Sequence, residues 1–108
     1  MRVTNAYLAR AYAEFNRKYF RNRLPHDMVV RFAADEGCGT TYFQYGRPLY
    51  IILNKRLAWH NMLADMTLLH EMVHVELDKF RASCGRCGHR FNRRMKKLAQ
   101  TGAFNGLW

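Results

Sequence analysis

The residues best suited to do chemistry in this 108-residue chain lie in the segment His70-Glu71-Met72-Val73-His74. Residues four apart in an α-helix lie one turn apart on nearly the same face, so both imidazoles can reach one ion. Glu71 then lies close enough for its carboxylate to touch a water molecule on the metal without binding the metal itself. Two imidazoles, one further ligand and an open position suit Zn²⁺. The spacing therefore predicts a zinc-dependent hydrolase of the peptidase class, with Glu71 as its general base.

The simpler alternative is that the two histidines are ordinary residues of a helix core. The surrounding segment does carry one apolar stripe, formed by Met62, Leu63, Met66, Leu69, Val73, Leu77 and Phe80. Burying two imidazoles in such a stripe without partners costs free energy, whereas a bound cation would satisfy both. We therefore favour the metal site.

A third zinc ligand must come from outside the turn that holds His70 and His74. The carboxylates that follow, Glu76 and Asp78, are too near on the same helix to fold back onto the ion. An extended motif with a third histidine is excluded, because Phe80 stands at the position of that histidine. The side chains that remain lie just past the helix, and they are Cys84, Cys87 and His89.

Cys84 and Cys87 also form a C-x-x-C pair, which is half of a zinc ribbon. Cys38 is the one other cysteine, so a second complete site is not available, and a surface loop with an idle cysteine is the simpler interpretation. An odd number of cysteines does not suit a secreted disulfide framework, and the start of the chain shows no secretory signal. We therefore expect an intracellular protein (cytoplasmic, nucleoid-associated or nuclear).

The charge of the chain points to a polyanionic partner. Eighteen Lys and Arg against eight Asp and Glu give a net charge of +10 and a pI near 10.1. Such a field attracts nucleic acid, because each neutralised phosphate releases counterions. A solvated basic surface is the alternative. The candidate phosphate contacts are Arg86, Arg90, Arg93, Arg94, Lys96 and Lys97, with Arg17, Lys18, Arg21 and Arg23 as a second patch.

Periodicity and length predict one α+β domain over residues 1–108, and we also expect no membrane contact and a monomeric state. Spacings of three and four indicate helices over about 4–22, 60–80 and 90–100. Between the first two helices, β-rich runs at 28–32, 40–45 and 49–53 indicate a small three-stranded sheet with one face packed on the helices, and Gly46-Arg47-Pro48 is predicted to be a turn. Tyr42, Phe43, Tyr45 and Trp59 are candidates to stack on unpaired bases or to fill the core.

Several segments together resemble the SprT-like, or Spartan-type, zinc metallopeptidase domain over nearly the whole chain. They are Tyr12 to Phe20 followed by Leu24-Pro25, Gly39 to Tyr42, Ile51 to Leu57, and Leu68 to His74. The resemblance implies a minimal zincin-like fold of an N-terminal helix, a three-stranded sheet, the HExxH helix and a C-terminal helix. It also implies a protease that acts on DNA-associated or DNA-crosslinked proteins, with DNA, single-stranded or crosslinked to protein, as a partner.

The chain departs from that family in the loop before the last helix, where the family usually has His-Gly-x-x-Phe and its third zinc ligand. Aligning Phe91 places Cys87 at the position of that histidine, whereas residue type favours His89. If both bound, the site would be closed, as in a non-catalytic zinc-stabilised nucleic-acid-binding module. A three-histidine ribonuclease is the other rival, but Phe80 occupies its last histidine position.

Overall fold

A computed structural model of the chain describes residues 2–35, 37–44, 47–77 and 89–103, with only the backbone of residues 89 and 90. Its elements follow the predicted order. They are α1 (Asn5–Tyr19), β1 (Val29–Ala33), β2 (Gly39–Gln44), β3 (Arg47–Asn54), a 3₁₀ helix (Lys55–Trp59), α2 (Asn61–Leu77) and α3 (His89–Gln100). Three helices and a small mixed sheet make the α+β fold that periodicity predicted. None of the described helices is both long and apolar enough to span a bilayer.

Local polar contacts set both ends of α1. The Thr4 hydroxyl accepts the Tyr7 N–H at 3.1 Å and so caps the first turn. Past the last turn the backbone enters the left-handed region at Arg21 and Asn22, with φ of 54° and 59°. The buried amide of Asn16 then holds Leu24, donating to its carbonyl oxygen and accepting its N–H, both at 3.1 Å. This contact turns the chain back toward the sheet.

The sheet has the order β1-β3-β2, with β1 parallel and β2 antiparallel to the central β3. The predicted turn at 46–48 is wrong in part, because Arg47 and Pro48 already belong to β3. Pro48 is tolerated there because the register between β2 and β3 is irregular beyond Tyr42, where Phe43 is opposite Pro48. Neither the parallel pairing nor the 3₁₀ helix after β3 was predicted.

One face of the sheet packs on the helices, as expected. Val30 and Ile51 from that face are buried with Leu8 of α1, Leu68 of α2 and Met95 of α3 in one apolar core. On the opposite face Tyr42 and Tyr50 stack with ring centroids 4.8 Å apart, and Tyr42 stays 40% exposed. The core therefore lies between β3 and the three helices, and α2 is its centre.

Gly39 lets the edge strand β2 approach α2 closely. A Cβ atom at this position would lie 3.0 Å from the Thr67 Cγ2 on α2 and 3.1 Å from the Ile52 carbonyl oxygen on β3. Real Cβ atoms rarely have such tight neighbours, so a larger residue would push the strand away from the helix. The close approach matters for the next strand residues, since it brings Thr41 to the buried side of α2.

Candidate active site

The C-terminal half of α2 presents His70, Glu71 and His74 toward the interior of the domain. The helix is apolar nearly all round, and Leu68, Leu69, Met72 and Val73 are fully buried beside these residues. A helix of this kind forms because it is enclosed by other elements, since its sequence offers little polar face to water. The predicted helix over about 60–80 is confirmed as far as Leu77.

The two imidazoles lie side by side and share one aromatic neighbour. Their ring centroids are 5.1 Å apart, and both rings contact Phe91 at the start of α3, at 4.7 Å for His70 and 4.4 Å for His74. Burial, together with the charge of nearby His74, lowers the pKa of His70 to about 4. His70 is therefore a neutral imidazole at physiological pH, which is the form that binds a metal ion.

One atom of this pair indicates a ligand. Nε2 of His70 is buried and receives no hydrogen bond from any described residue. Buried polar atoms are almost always satisfied, so an unpaired imidazole nitrogen beside a second imidazole needs a partner of its own. Two imidazoles four residues apart suit zinc as donors, and the described residues at this site fit that ion.

The Glu71 side chain lies on the sheet side of the same turn. It is 1% exposed, and its Oε1 accepts a hydrogen bond from the Thr41 hydroxyl at 2.9 Å. Burial raises the pKa of Glu71 to about 7; the nearby charge of Asp35 adds to the rise, and the Thr41 hydrogen bonds oppose it. No cation faces Glu71 among the described residues. A buried carboxyl group of this kind can both take up and release a proton near neutral pH.

Thr41 and Asp35 were missed by reasoning from the sequence. Thr41 is fully buried on β2, thirty residues from Glu71, and Asp35 follows β1 and accepts a hydrogen bond from Thr40. Strand alternation signals only that Thr40 and Thr41 point to opposite faces of β2. Which of them faces α2 depends on the packing of the sheet against that helix.

The candidates for the third metal ligand lie outside the described residues. Cys84 and Cys87 fall in the range 78–88, and of His89 only the backbone is described. Within the described part of the chain, no three His, Cys, Asp or Glu side chains converge as a ligand cluster. The choice between Cys87 and His89 stays a prediction.

The predicted nucleic-acid residues separate into different environments. Arg93, Lys96 and Lys97 are exposed on α3, whereas Arg86 and the side chain of Arg90 lie outside the described residues. Arg94 is largely buried: its Nε donates to Glu76 at 2.7 Å, and its Nη2 donates to the Tyr19 carbonyl oxygen at 2.6 Å. Arg94 therefore joins α3 to α1 and α2.

A cavity of about 560 Å³ lies where the two basic segments meet. Arg21 and Arg23, just after α1, line it together with Arg94 and Lys97 of α3. Glu76 also faces this cavity, but its charge is matched by Arg94. Of the other three cations, Arg21 and Arg23 lie far from Lys97 along the chain, yet all three border one space.

The fold and the site together define a small α+β domain that holds a histidine–glutamate–histidine helix against a three-stranded mixed sheet. A family model described as the SprT-like family matches residues 8–106, nearly the whole chain. The chain belongs to the SprT-like family. No curated protein sequence and no solved structure matches it.

Proposed function

We propose that the protein is a zinc-dependent endopeptidase that cleaves proteins associated with DNA. The observation that carries this proposal is a single buried turn of α2, where, within the described part of the chain, no cation faces the Glu71 carboxylate and the buried Nε2 of His70 has no hydrogen-bond partner. A purely structural core would gain stability by replacing these groups with apolar ones, so their retention favours a chemical role.

In this proposal His70 and His74 hold the ion, with Cys87 or His89 as the third ligand. When bound, Zn²⁺ supplies Lewis acidity toward a peptide carbonyl and makes a water molecule acidic enough to lose a proton near neutral pH. Glu71 takes that proton and passes it to the leaving amine. Burial of Glu71 keeps bulk water from competing for the proton, and the Thr41 hydrogen bond holds the carboxylate in place.

The position of β2 at the edge of the sheet supports the proposal that the substrate is an extended protein segment. β2 forms one edge of the sheet, and among the described residues no further strand pairs with its outer side. A peptide in β conformation can add to such an edge through main-chain hydrogen bonds, without a sequence requirement. Thr41 lies on that strand and contacts Glu71, so a peptide bound along β2 would pass close to the proposed base.

Charge supports DNA as the partner that brings substrates to this site. The net charge is +10, and the cavity between α1 and α3 gathers Arg21, Arg23 and Lys97 around one space. Cations from two segments that border one groove are better placed to follow a phosphate backbone than cations scattered over a surface.

The peptidase assignment is tested with Glu71→Gln and its control Glu76→Gln on the same helix. We expect wild-type protein to contain about one zinc ion and to cleave casein or a DNA-bound protein substrate. Glu71→Gln should retain the zinc and lose activity by at least about 10³-fold, because the amide cannot accept a proton. Glu76→Gln should stay within about threefold of wild type, since Glu76 faces Arg94 and not the imidazoles. Full activity in Glu71→Gln, or bound zinc without hydrolysis even with DNA present, would contradict the assignment; the latter result favours the non-catalytic zinc module.

The DNA part is tested separately with Lys97→Glu, which alters the cavity, and Lys96→Glu, which changes the neighbouring exposed residue. We expect Lys97→Glu to weaken binding of a fluorescent oligonucleotide about tenfold at moderate salt, and Lys96→Glu to weaken it less than about threefold. Equal effects would show that the cavity has no special part in binding.

A further inference from the structure

We propose that Thr41 is a positioning residue that fixes one oxygen of the Glu71 carboxylate, so that the other oxygen carries out the proton transfer. This inference rests on the proposed peptidase function and refines it. The HExxH pattern of α2 gives no indication of residue 41, because Thr41 and Glu71 meet through the packing of β2 on α2.

The geometry assigns the single hydroxyl proton of Thr41 to the carboxylate. The Thr41 Oγ1 lies 2.9 Å from the Glu71 Oε1 and 3.4 Å from the carbonyl oxygen of the same residue. A hydroxyl group has one proton to donate, and the shorter contact to the charged acceptor is the stronger hydrogen bond. Thr41 is 0% exposed and Glu71 is 1% exposed, so solvent cannot readily replace this bond.

The donor is itself held rigidly. Thr41 pairs with Ile51 of the central strand β3, and Gly39 two residues earlier lies against Thr67 of α2. A β-branched side chain in a strand has few χ1 rotamers, so a fixed backbone fixes the hydroxyl as well. The Glu71 carboxylate is therefore held from the sheet, independently of the helix that carries it.

The consequence is a division of labour between the two carboxylate oxygens. Oε1 accepts from the Thr41 hydroxyl, whereas no described side chain donates to Oε2. Oε2 is thus the oxygen that takes the proton as an O–H bond of water breaks and the hydroxide oxygen bonds to the peptide carbonyl carbon. The same oxygen returns the proton to the nitrogen as the peptide C–N bond breaks and the amine leaves. A carboxylate free to rotate would spend much of its time in unproductive orientations, which lowers kcat without changing how substrate binds.

The test compares Thr41→Val, Thr41→Ser and Thr40→Val. Thr40 is a matched control, because it is the adjacent residue on β2 and its hydroxyl donates to Asp35 instead. We expect Thr41→Val to lower kcat about 10- to 100-fold with unchanged KM and zinc content, which corresponds to loss of one hydrogen bond to a charged group. Thr41→Ser should restore kcat to within about threefold of wild type, and Thr40→Val should stay within that range. A Thr41→Val enzyme with normal kcat, or a Thr41→Ser enzyme as slow as Thr41→Val, would overturn the proposal.

A second measurement tests the hydrogen bond between Thr41 and Glu71 without relying on activity. In metal-free protein, Thr41→Val should lower the Tm by about 5 °C when residue 71 is Glu, and by less than half of that in a Glu71→Ala background. Equal shifts in both backgrounds would overturn the proposed contact. Should wild-type protein show no hydrolysis, the peptidase proposal fails, whereas the Tm comparison still decides whether Thr41 holds Glu71.

Discussion

Two carboxylates of α2 lie five residues apart and are treated in opposite ways by the fold. Glu71 is enclosed and accepts a hydrogen bond from the neutral hydroxyl of Thr41, with no cation facing it among the described residues, whereas Glu76 is 20% exposed and forms an ion pair with Arg94. A countercharge makes a carboxylate a stable structural connection, but it also holds the group in its charged form. A buried carboxylate with only a neutral partner is less stable and is available for proton transfer. We call the turn of α2 around Glu71 its chemical end and the turn around Glu76 its structural end.

The structural end does more than neutralise one charge. Arg94 reaches from α3 to Glu76 on α2 and to the carbonyl oxygen of Tyr19 on α1, and its guanidinium lies over the Phe20 ring at 5.1 Å. One side chain thus connects all three helices. The chemical end, in contrast, contacts the sheet through Thr41 and α3 through Phe91.

The largest effect on stability is expected at the structural end. Arg94→Ala should lower the free energy of unfolding by about 2 kcal/mol and the Tm by about 10 °C, because it leaves Glu76 and the Tyr19 carbonyl oxygen without their partner. Arg93→Ala, one residue earlier and exposed, is the control and should change stability by less than about 0.5 kcal/mol. Urea unfolding monitored by circular dichroism measures both, and equal stabilities would remove Arg94 from its role between the helices.

Smaller changes in stability, of opposite sign, are expected when each of the two carboxylates is replaced by an amide. In metal-free protein at pH 8, Glu71→Gln should raise the free energy of unfolding by about 0.5–1 kcal/mol, because it removes a buried charge that has no countercharge among the described residues. Glu76→Gln should lower it by about 1 kcal/mol, because it removes the carboxylate charge that forms the ion pair with Arg94. Changes of the same sign in both variants would contradict the contrast between the two ends.

The smallest effect concerns a third carboxylate of α2, Asp65. Like Glu71 it has a neutral hydroxyl as its partner, but it is less deeply buried than Glu71. The Tyr7 hydroxyl donates to both oxygens of Asp65, at 2.9 and 3.1 Å; burial raises the pKa of Asp65, and the Tyr7 hydrogen bond opposes the rise. A carboxyl group with a raised folded-state pKa stabilises the fold below its unfolded pKa, and that contribution is lost as pH rises through the folded pKa.

Wild-type protein should therefore lose stability relative to Asp65→Asn as pH rises from about 3.5 toward 7. Because the group is partly solvated, we expect the total change to stay below about 1 kcal/mol. Urea unfolding of both proteins across that range measures the difference. A stability difference that is constant with pH, or that grows in favour of wild type, would show that folding does not raise the pKa of Asp65.

The elements that the sequence predicts well are those with strong local periodicity. The helices near 4–22, 60–80 and 90–100 correspond to α1, α2 and α3, because apolar spacing of three and four depends only on neighbouring residues. The pairing of His70 with His74 follows for the same reason, since a helix brings residues four apart together wherever it lies. Membership of the SprT-like family is confirmed as well.

Long-range contacts escaped prediction because they depend on register and on layer packing. The parallel pairing of β1 with β3 joins strands that are not neighbours along the chain, and Pro48, for which the sequence predicts a turn, is the second residue of β3. Asn16 and Leu24, eight residues apart, show the intermediate case: both lie in segments that resemble the SprT-like family, but only the structure shows the two hydrogen bonds that join them through the Asn16 amide.

The sequence by itself determined that two imidazoles and a carboxylate share one turn of helix, because helical geometry is local. The tertiary structure alone decided what surrounds them: Thr41 rather than Thr40 faces Glu71, Phe91 packs on both histidine rings, and Arg94 matches Glu76 instead of Glu71. Those neighbours come from distant segments, and burial among them is the largest cause of the lowered pKa of His70 and the raised pKa of Glu71.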